Sequence, residues 1–258
     1  MIDTHTHIDG EEFEDDRDAI IERAKEAGVS HILLPNIDMM SLLAMDEACN
    51  MYGDICSPMY GLHPTSVAED YNEQLDAIFA AAELDRRMVG IGEIGLDLYW
   101  DDKFKVEQAD AFAWQVDYAI KKGLPMSIHI RNAFELMYEV FGRFDKSKLI
   151  GSLHCFSGSR EDAIRCVREY PNMMYGVNGT FTYKKSLLPS IFSEVIPIEK
   201  VLLETDAPYL SPGKYRGKRN EPSYLPMVVE KLSEAYGIST RDVERITDEN
   251  AKRLFHLY

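Results

Sequence analysis

The chain contains no run of about 20 apolar residues, the length a helix needs to cross a bilayer. Neither a basic nor an apolar leader precedes the first strand pattern at residue 2, so a cytoplasmic protein without membrane attachment is expected. Cysteine is scarce: Cys49, Cys56, Cys155 and Cys166 form no Cys-x-x-Cys pair, and 258 residues bury a core that needs no disulfide staples. All four are expected as reduced, mostly buried residues. Positive charge is scarce too, 28 Lys and Arg against 44 Asp and Glu, and the formal net charge of -16 excludes an all-over electrostatic grip on nucleic acid. A local patch remains open, and Lys214-Tyr-Arg-Gly-Lys-Arg219 is the densest basic stretch. The acidic run Glu11 to Asp18 suits a loop and a helix N-terminus, where carboxylates are favourable. No Ser/Gly-rich linker or low-complexity segment divides the chain, so one domain over 1–258 is expected, with no obligate protein partner evident.

What is present is a repeated pattern. Short runs rich in Val, Ile and Leu recur at Ile2 to Thr6, His31 to Pro35, Ser57 to Leu62, Val89 to Ile94, Pro125 to Ile130, Leu149 to His154, Met173 to Val177 and Val201 to Thr205, each followed by a helical pattern. Sustained βα alternation implies a parallel sheet with helices outside, and eight such units close into a TIM (β/α)8 barrel of the α/β class. Ser159-Arg-Glu-Asp162 and Ser239-Thr-Arg-Asp242 are close variants of a capping box, and Gly28, Gly123 and Gly237 sit where helices should stop. A doubly wound open sheet is the alternative. It usually carries a phosphate-binding glycine loop after its first strand, where this chain has His5-Thr-His7.

In a barrel of this kind the C-terminal ends of the strands share one mouth, which is where the active site is expected. The first strand brings Asp3-Thr-His5-Thr-His7, whose alternate residues project the same way. His63, Glu93, His129, His154 and Asp206 then close the third, fourth, fifth, sixth and eighth strands. Any one of them has a bland reading: a satisfied core histidine, a Glu93–Arg131 salt bridge, or an Asp206 that merely turns the chain. Together they form a set of imidazoles and carboxylates suited to Zn, Mn, Fe or Mg. Four histidines and two carboxylates exceed what one open catalytic ion needs, so two ions sharing a bridging carboxylate are expected, with Glu93 as the bridge. His63 is as plausible a support or substrate contact as a structural residue, while His31 and His256 are expected to be structural. Cys155, next after His154 on the strand, is expected to point toward the helices. Tyr99 and Trp100 stand in the loop after the fourth strand, where they could stack on a nucleobase or simply pack the loop.

The motifs Asp3-Thr-His5-Thr-His7, Gly61-Leu-His63-Pro64, Gly92-Glu93-Ile-Gly-Leu-Asp97, His129-Ile-Arg131, His154-Cys-Phe-Ser-Gly158, Glu204-Thr-Asp206-Ala-Pro208 and Arg219-Asn-Glu-Pro222 resemble those of the TatD-type metal-dependent deoxyribonucleases, in order and over nearly the whole chain. The likeness extends to Gln108-x3-Phe112-x2-Gln115 and Asn250-x2-Arg253-Leu-Phe255. It departs at Leu98, a position often aromatic in that family. The resemblance implies a metal-dependent hydrolase of the amidohydrolase-like superfamily with His5, His7, Glu93, His129, His154 and Asp206 as ligands of two divalent ions (Mg, Mn or Zn). By that analogy one ion takes His5, His7, Glu93 and Asp206, and the other Glu93, His129 and His154.

Two such ions generate hydroxide near neutral pH and clamp the attacking and leaving oxygens at phosphorus. Asp206 is then the candidate general base, with Glu93 as the second catalytic group. His63, Arg131, Arg219 and Asn220 are candidates for contact with substrate. The resemblance implies hydrolysis of DNA phosphodiester bonds, with removal from a 3′ end of single strands, in DNA repair or degradation. The competing enzyme reading is an amide, ester or lactone hydrolase of small molecules. Against it stands Glu93, where related hydrolases place a carbamylated lysine. A non-catalytic metal- or partner-binding barrel is the third reading, and no ligand is missing to favour it.

Overall fold

Strands buried on both faces read as near-continuous apolar runs, and every run singled out above forms a strand in the computed structural model, which describes residues 1–257. The elements alternate as β1 (Ile2–Asp3), α1 (Arg17–Glu26), β2 (His31–Pro35), α2 (Ser41–Met51), β3 (Cys56–Tyr60), α3 (Tyr71–Ala82), β4 (Gly90–Asp97), α4 (Lys105–Lys122), β5 (Met126–Arg131), α5 (Phe134–Phe141), β6 (Gly151–His154), α6 (Arg160–Glu169), β7 (Met173–Val177), α7 (Leu188–Val195), β8 (Val201–Leu203), α8 (Leu225–Tyr236) and α9 (Thr240–Phe255). Each strand pairs in parallel with the next, in the order β1 to β8. The Thr4 N–H donates to the Leu203 carbonyl at 2.9 Å and brings the first and last strands together, so the sheet curls into the TIM barrel. Among the described residues no helix is long and apolar enough to cross a membrane.

The ends of β1 and β8 differ from the sequence expectation for a physical reason. Beyond Asp3 and Leu203 the two segments leave regular ladders and braid with each other: the Asp206 N–H donates to His5 O, the His7 N–H to Ala207 O, and the Thr6 N–H crosses to Leu33 O. Both segments stay buried, but the regular period of two is lost. β4 runs longer than expected because its pairing with β5 is interrupted between Ile91 and Ile94 and then resumes to Asp97.

Helix ends follow the sequence signals. Ser159 and Asp162 form a reciprocal capping box on α6, and the Ser239 hydroxyl accepts from the Asp242 N–H on α9. Gly123 and Gly237 terminate α4 and α8 in the left-handed conformation.

The two ends of the barrel do different work. At the N-terminal end α9 acts as a floor: Ala251, Leu254 and Phe255 pack with Ile2, Leu33, Met59, Met174 and Leu202 from the strands. Also at this end, in the turn into β4, Asp85 accepts from Arg87 at 2.7 Å and from the Tyr60 hydroxyl at 2.8 Å. Partial burial works against its ionisation, but the Arg87 and Tyr60 bonds hold its carboxyl down at about 2. A depressed folded-state value stabilises the fold at pH values above the unfolded carboxyl range and is lost as pH falls through about 2. Asp85→Asn is therefore expected to destabilise the protein at pH 7 by on the order of 1 kcal/mol after solvent screening. In denaturant titrations the gap between variant and wild type should close between pH 4 and pH 2, and a gap independent of pH would refute the charge assignment.

Candidate metal centre

Glu93 stands at the irregular stretch of β4, where the backbone steps out of register and re-aims the side chain into the barrel mouth. Its N–H donates to Asn36 O at 2.9 Å, and the Asn36 N–H returns to Gly92 O at 3.2 Å, so the tip of β2 fixes the departure. The next turn of the strand needs glycine. Gly95 has φ +138, and a side chain there would collide with the His129 carbonyl. The Glu93 side chain is buried, and its two oxygens face different neighbours. Oε2 meets His5 Nε2 at 3.1 Å and His7 Nε2 at 3.5 Å. Oε1 meets His129 Nδ1 at 3.0 Å, His63 Nε2 at 3.3 Å and His154 Nε2 at 3.8 Å. Asp206 Oδ1 closes the group, 3.6 Å from His7 Nε2 and 3.7 Å from His154 Nε2.

Contacts behind four of the imidazoles, hydrogen bonds at His129, His5 and His63 and an ion pair at His154, indicate which ring nitrogen faces the centre. His129 Nε2 is 2.9 Å from Asp97 Oδ2, which requires a proton on Nε2 and leaves Nδ1 to face Glu93. His154 Nδ1 lies 3.2 Å from Glu204 Oε1, so its Nε2 is the nitrogen facing the centre. His5 Nδ1 contacts the Ser127 hydroxyl at 2.9 Å, again freeing Nε2. His63 is the opposite case. Its Nδ1 accepts from the Thr65 N–H at 3.1 Å, so in the neutral ring Nε2 carries the proton and offers Glu93 a donor rather than a lone pair. His63 is thus suited to orienting Glu93 or a substrate oxygen, and His5, His7, His129 and His154 are suited to ligation.

Charge decides what such a site can hold. Asp3, Glu93, Asp97, Glu204 and Asp206 gather here, the first four buried, and among the described residues no Lys or Arg nitrogen lies within 4 Å of any of them. Burial would push Glu93 up, but His63, His5 and His154 around it hold it well below the usual carboxylate range. Burial lifts Asp206 to about 6 against the pull of His154 and His7, and it lifts Asp3 to about 7 despite two bonds from Thr205. Burial would keep His129 neutral, yet its bonds to Asp97 and Glu93 raise it to about 9; His154 is raised likewise to about 10 by Glu204, Asp206 and Glu93. His5 is held well below its ordinary value by burial and by the stacked His154 ring, 3.4 Å away between centroids. Without a cation the carboxylates pull protons onto two imidazoles; a divalent ion would take those protons' place. The donor set fits divalent metal, since it is nitrogen and oxygen, desolvated and short of positive charge.

The other expected contacts fall in three places. Arg131 lies at the mouth with its guanidinium 3.7 Å from the Tyr99 ring centroid and 5.4 Å from Trp100, and both aromatics are exposed. Arg219 is committed to the protein: it pairs with Asp16 at 2.6 Å, donates to the Glu12 carbonyl and covers Phe13. Asn220 is buried and donates to Thr205 O and Tyr209 O, both at 2.8 Å, bracing the segment that carries Asp206. Both residues thus tie the rim together through contacts within the protein. His31 contacts Ser57 at the far end of the barrel, and His256 caps α9, as expected.

Cys155 corrects the alternation argument. The strand stops at His154, and Cys155 takes φ +47, a left-handed turn that brings its Sγ beside His154 and Asp206 instead of among the helices. The residues that sequence reasoning missed are Asp97, Glu204 and Ser127, the groups behind the ligands. Their signal was modest: Asp97 and Glu204 stand in motifs with Glu93 and Asp206, but only three-dimensional pairing shows that each serves a histidine from another strand.

A family model described as TatD related DNase matches residues 2–256. A Bacillus subtilis protein named "Uncharacterized metal-dependent hydrolase YabD" is 34% identical over 257 residues, covering 100% of this chain and 99% of that protein. A Pectobacterium carotovorum protein named "3′-5′ ssDNA/RNA exonuclease TatD" is 31% identical over 267 residues and 100% of both. Among solved structures, that of YJJV, a TatD homolog from Escherichia coli, matches with a TM-score of 0.92 at 29% identity, over 100% of this chain and 98% of that one.

Loading the centre should stabilise the fold, because ions that bind only the native state shift its melting point by mass action. At Mn²⁺ or Zn²⁺ about 100-fold above Kd, Tm is expected to rise by about 5–10 °C and to return with chelator. Glu93→Gln keeps the side-chain volume but cannot bridge two cations, and differential scanning fluorimetry should show most of the rise gone.

Proposed function

The chain belongs to the TatD-related DNase family of metal-dependent hydrolases, and on that premise we propose that it cleaves DNA phosphodiester bonds, shortening single strands from the 3′ end. The 3′ to 5′ direction and the single-stranded preference follow the relatives named as 3′-5′ ssDNA/RNA exonucleases. His5, His7, Glu93 and Asp206 would hold one ion, and Glu93, His129 and His154 a second. The observation that supports this pairing is the division of the Glu93 oxygens, Oε2 toward His5 and His7 and Oε1 toward His129 and His154.

Divalent ions, when bound, supply Lewis-acid stabilisation of charge at phosphorus and make a water in the centre acidic enough to attack near neutral pH. The chain's residues do the rest. Asp206, its carboxyl lifted by burial, takes the proton from the attacking water and is matched to that task near neutrality. His63 offers its Nε2 proton to a phosphate oxygen or to Glu93. Arg131, resting on Tyr99, can pair with a backbone phosphate while the exposed Tyr99 and Trp100 rings receive a terminal base.

Nucleic acid is favoured over a small ester or amide by charge. Lys184 and Lys185 in the loop after β7, with Lys214, Arg216 and Lys218 in the loop after β8, are exposed, and none has a carboxylate partner among the described residues. The two loops are joined by the bond from the Gly213 N–H to the Thr182 hydroxyl and by Arg216 lying over Tyr183. In a chain of net charge -16, five unneutralised cations on the rim beside Asp206 suit a polyanion.

With a 5′-labelled single-stranded oligonucleotide and Mg²⁺ or Mn²⁺, the protein is expected to give a ladder of shortening products, abolished by chelator. Asp206→Asn should lower kcat by roughly 10²- to 10⁴-fold while the protein stays folded. Reversal of Lys214, Arg216 and Lys218 to Glu should raise KM for a long oligonucleotide and flatten its salt dependence, with turnover of a small phosphodiester unchanged. Uncut DNA and RNA from folded, metal-loaded protein would overturn the nuclease reading and favour a small-molecule hydrolase.

A further inference from the structure

We propose that Cys155 is itself a metal ligand, its Sγ joining His154, with Glu93 and His129, around the second ion; this rests on the metal reading above and extends that ion's ligand set by a soft donor. Four observations converge on the thiol. The left-handed φ of +47 at Cys155 is uncommon for a residue with a side chain, and it turns Sγ off the helix side of the strand toward the mouth. Sγ, a ring nitrogen of His154 and an oxygen of Asp206 then lie within 4.8 Å of one another, so the thiol stands among the donors of the centre, next to the ring assigned to the second ion. The Cys155 N–H donates to Glu204 Oε1 at 2.6 Å, so the carboxylate that orients His154 also pins the backbone of Cys155.

The fourth observation comes from β7. Asn178 is buried, and its Oδ1 is held by the Thr180 N–H at 3.1 Å and the Thr180 hydroxyl at 2.8 Å, which fixes the direction of the amide. Its Nδ2 is left without a hydrogen-bond partner, sulfur included, and the Cys155 thiol is among its neighbours. A buried amide donor with no acceptor is costly. A thiol is a poor acceptor for it, whereas a coordinated thiolate is a good one, and donors of this kind are how proteins support metal-bound sulfur. On coordination an ion–sulfur bond forms and the thiol proton leaves to solvent, with no change of oxidation state.

A sulfur ligand shifts preference from Mg²⁺ toward Zn²⁺ and Co²⁺, so the proposal has a readout apart from catalysis. The protein is loaded with Co²⁺, bound ions are counted by mass spectrometry, and the near-ultraviolet spectrum is recorded. Wild type is expected to show a thiolate-to-cobalt charge-transfer band that Cys155→Ser lacks and that Cys166→Ser, altered at a cysteine buried under Tyr138, retains. Cys155→Ser should also lose about 10-fold or more in Zn²⁺ affinity, with Mn²⁺ affinity little changed. As a measurement that needs no variant, Zn²⁺ should protect Cys155 of the native protein from alkylation. Bound cobalt without the band, a band that survives in Cys155→Ser, or alkylation unaffected by Zn²⁺ would overturn the proposal while leaving the histidine and carboxylate centre intact. A count of no bound ions would overturn that centre as well.

Discussion

Negative charge taken out of water without a matching Lys or Arg is the constraint on which the mouth of this barrel depends. Four buried carboxylates and the nearly buried Asp206 would be prohibitive in isolation, since desolvating an unpaired carboxylate costs several kcal/mol each. The structure answers with imidazoles from four different strand ends and with protons drawn onto His129 and His154. Such a cluster is an electrostatic vacancy of fixed shape, and divalent cations are the species whose charge and size match it. The residues behind the rings follow from the same constraint: Asp97, Glu204 and Ser127 contact the outer nitrogens of His129, His154 and His5, so that the other nitrogen of each ring faces the middle.

The barrel supplies the rigidity that such convergence needs. Glu93 can reach five histidines because β4 breaks register at one point and is held there by Asn36 on β2. Gln115 on α4 clasps both the N–H and the carbonyl of Leu62, next to His63, and Gln108 does the same for Asp97. One helix thus sets the height of two loops at the mouth. At the other end, α9 closes the floor with Leu254 and Phe255, leaving the site open only at the top. Stability devices such as the Asp85–Arg87–Tyr60 group sit at that closed end, away from the chemistry.

Much of this was legible in the sequence, and the boundary of legibility is physical. Runs such as His31 to Pro35 and Met173 to Val177 became strands with the same limits because parallel strands, buried on both faces, have no other composition available. The candidate cluster was legible because His5, His7, His63, Glu93, His129, His154 and Asp206 stand at or just beyond strand ends, and strand ends share a mouth. Where regular periodicity lapses, inference from it fails. His5 and His7 reach the centre through a braid with the Asp206 segment rather than through a ladder, and Cys155 turns left-handed one residue after its strand ends. The protein contacts of Arg219 and Asn220 were hidden for a related cause. A sequence shows that a side chain can bind phosphate or a base, but not that Asp16 and the Thr205 carbonyl already occupy it.

The pairing of Arg219 with Asp16 sharpens the electrostatic argument instead of weakening it. A charge neutralised by Asp16 contributes little to the field at the mouth, whereas Lys184, Lys185, Lys214, Arg216 and Lys218 are exposed, in the loops after β7 and β8, without such a partner among the described residues. At physiological ionic strength charges more than about 8 Å apart are largely screened, so the bulk charge of -16 acts weakly at this rim and the local cations dominate there. An acidic protein can therefore present a cationic landing strip without being basic overall. Its remaining acidic surface repels polyanions, so the cationic edge is the face on which the proposed substrate would land.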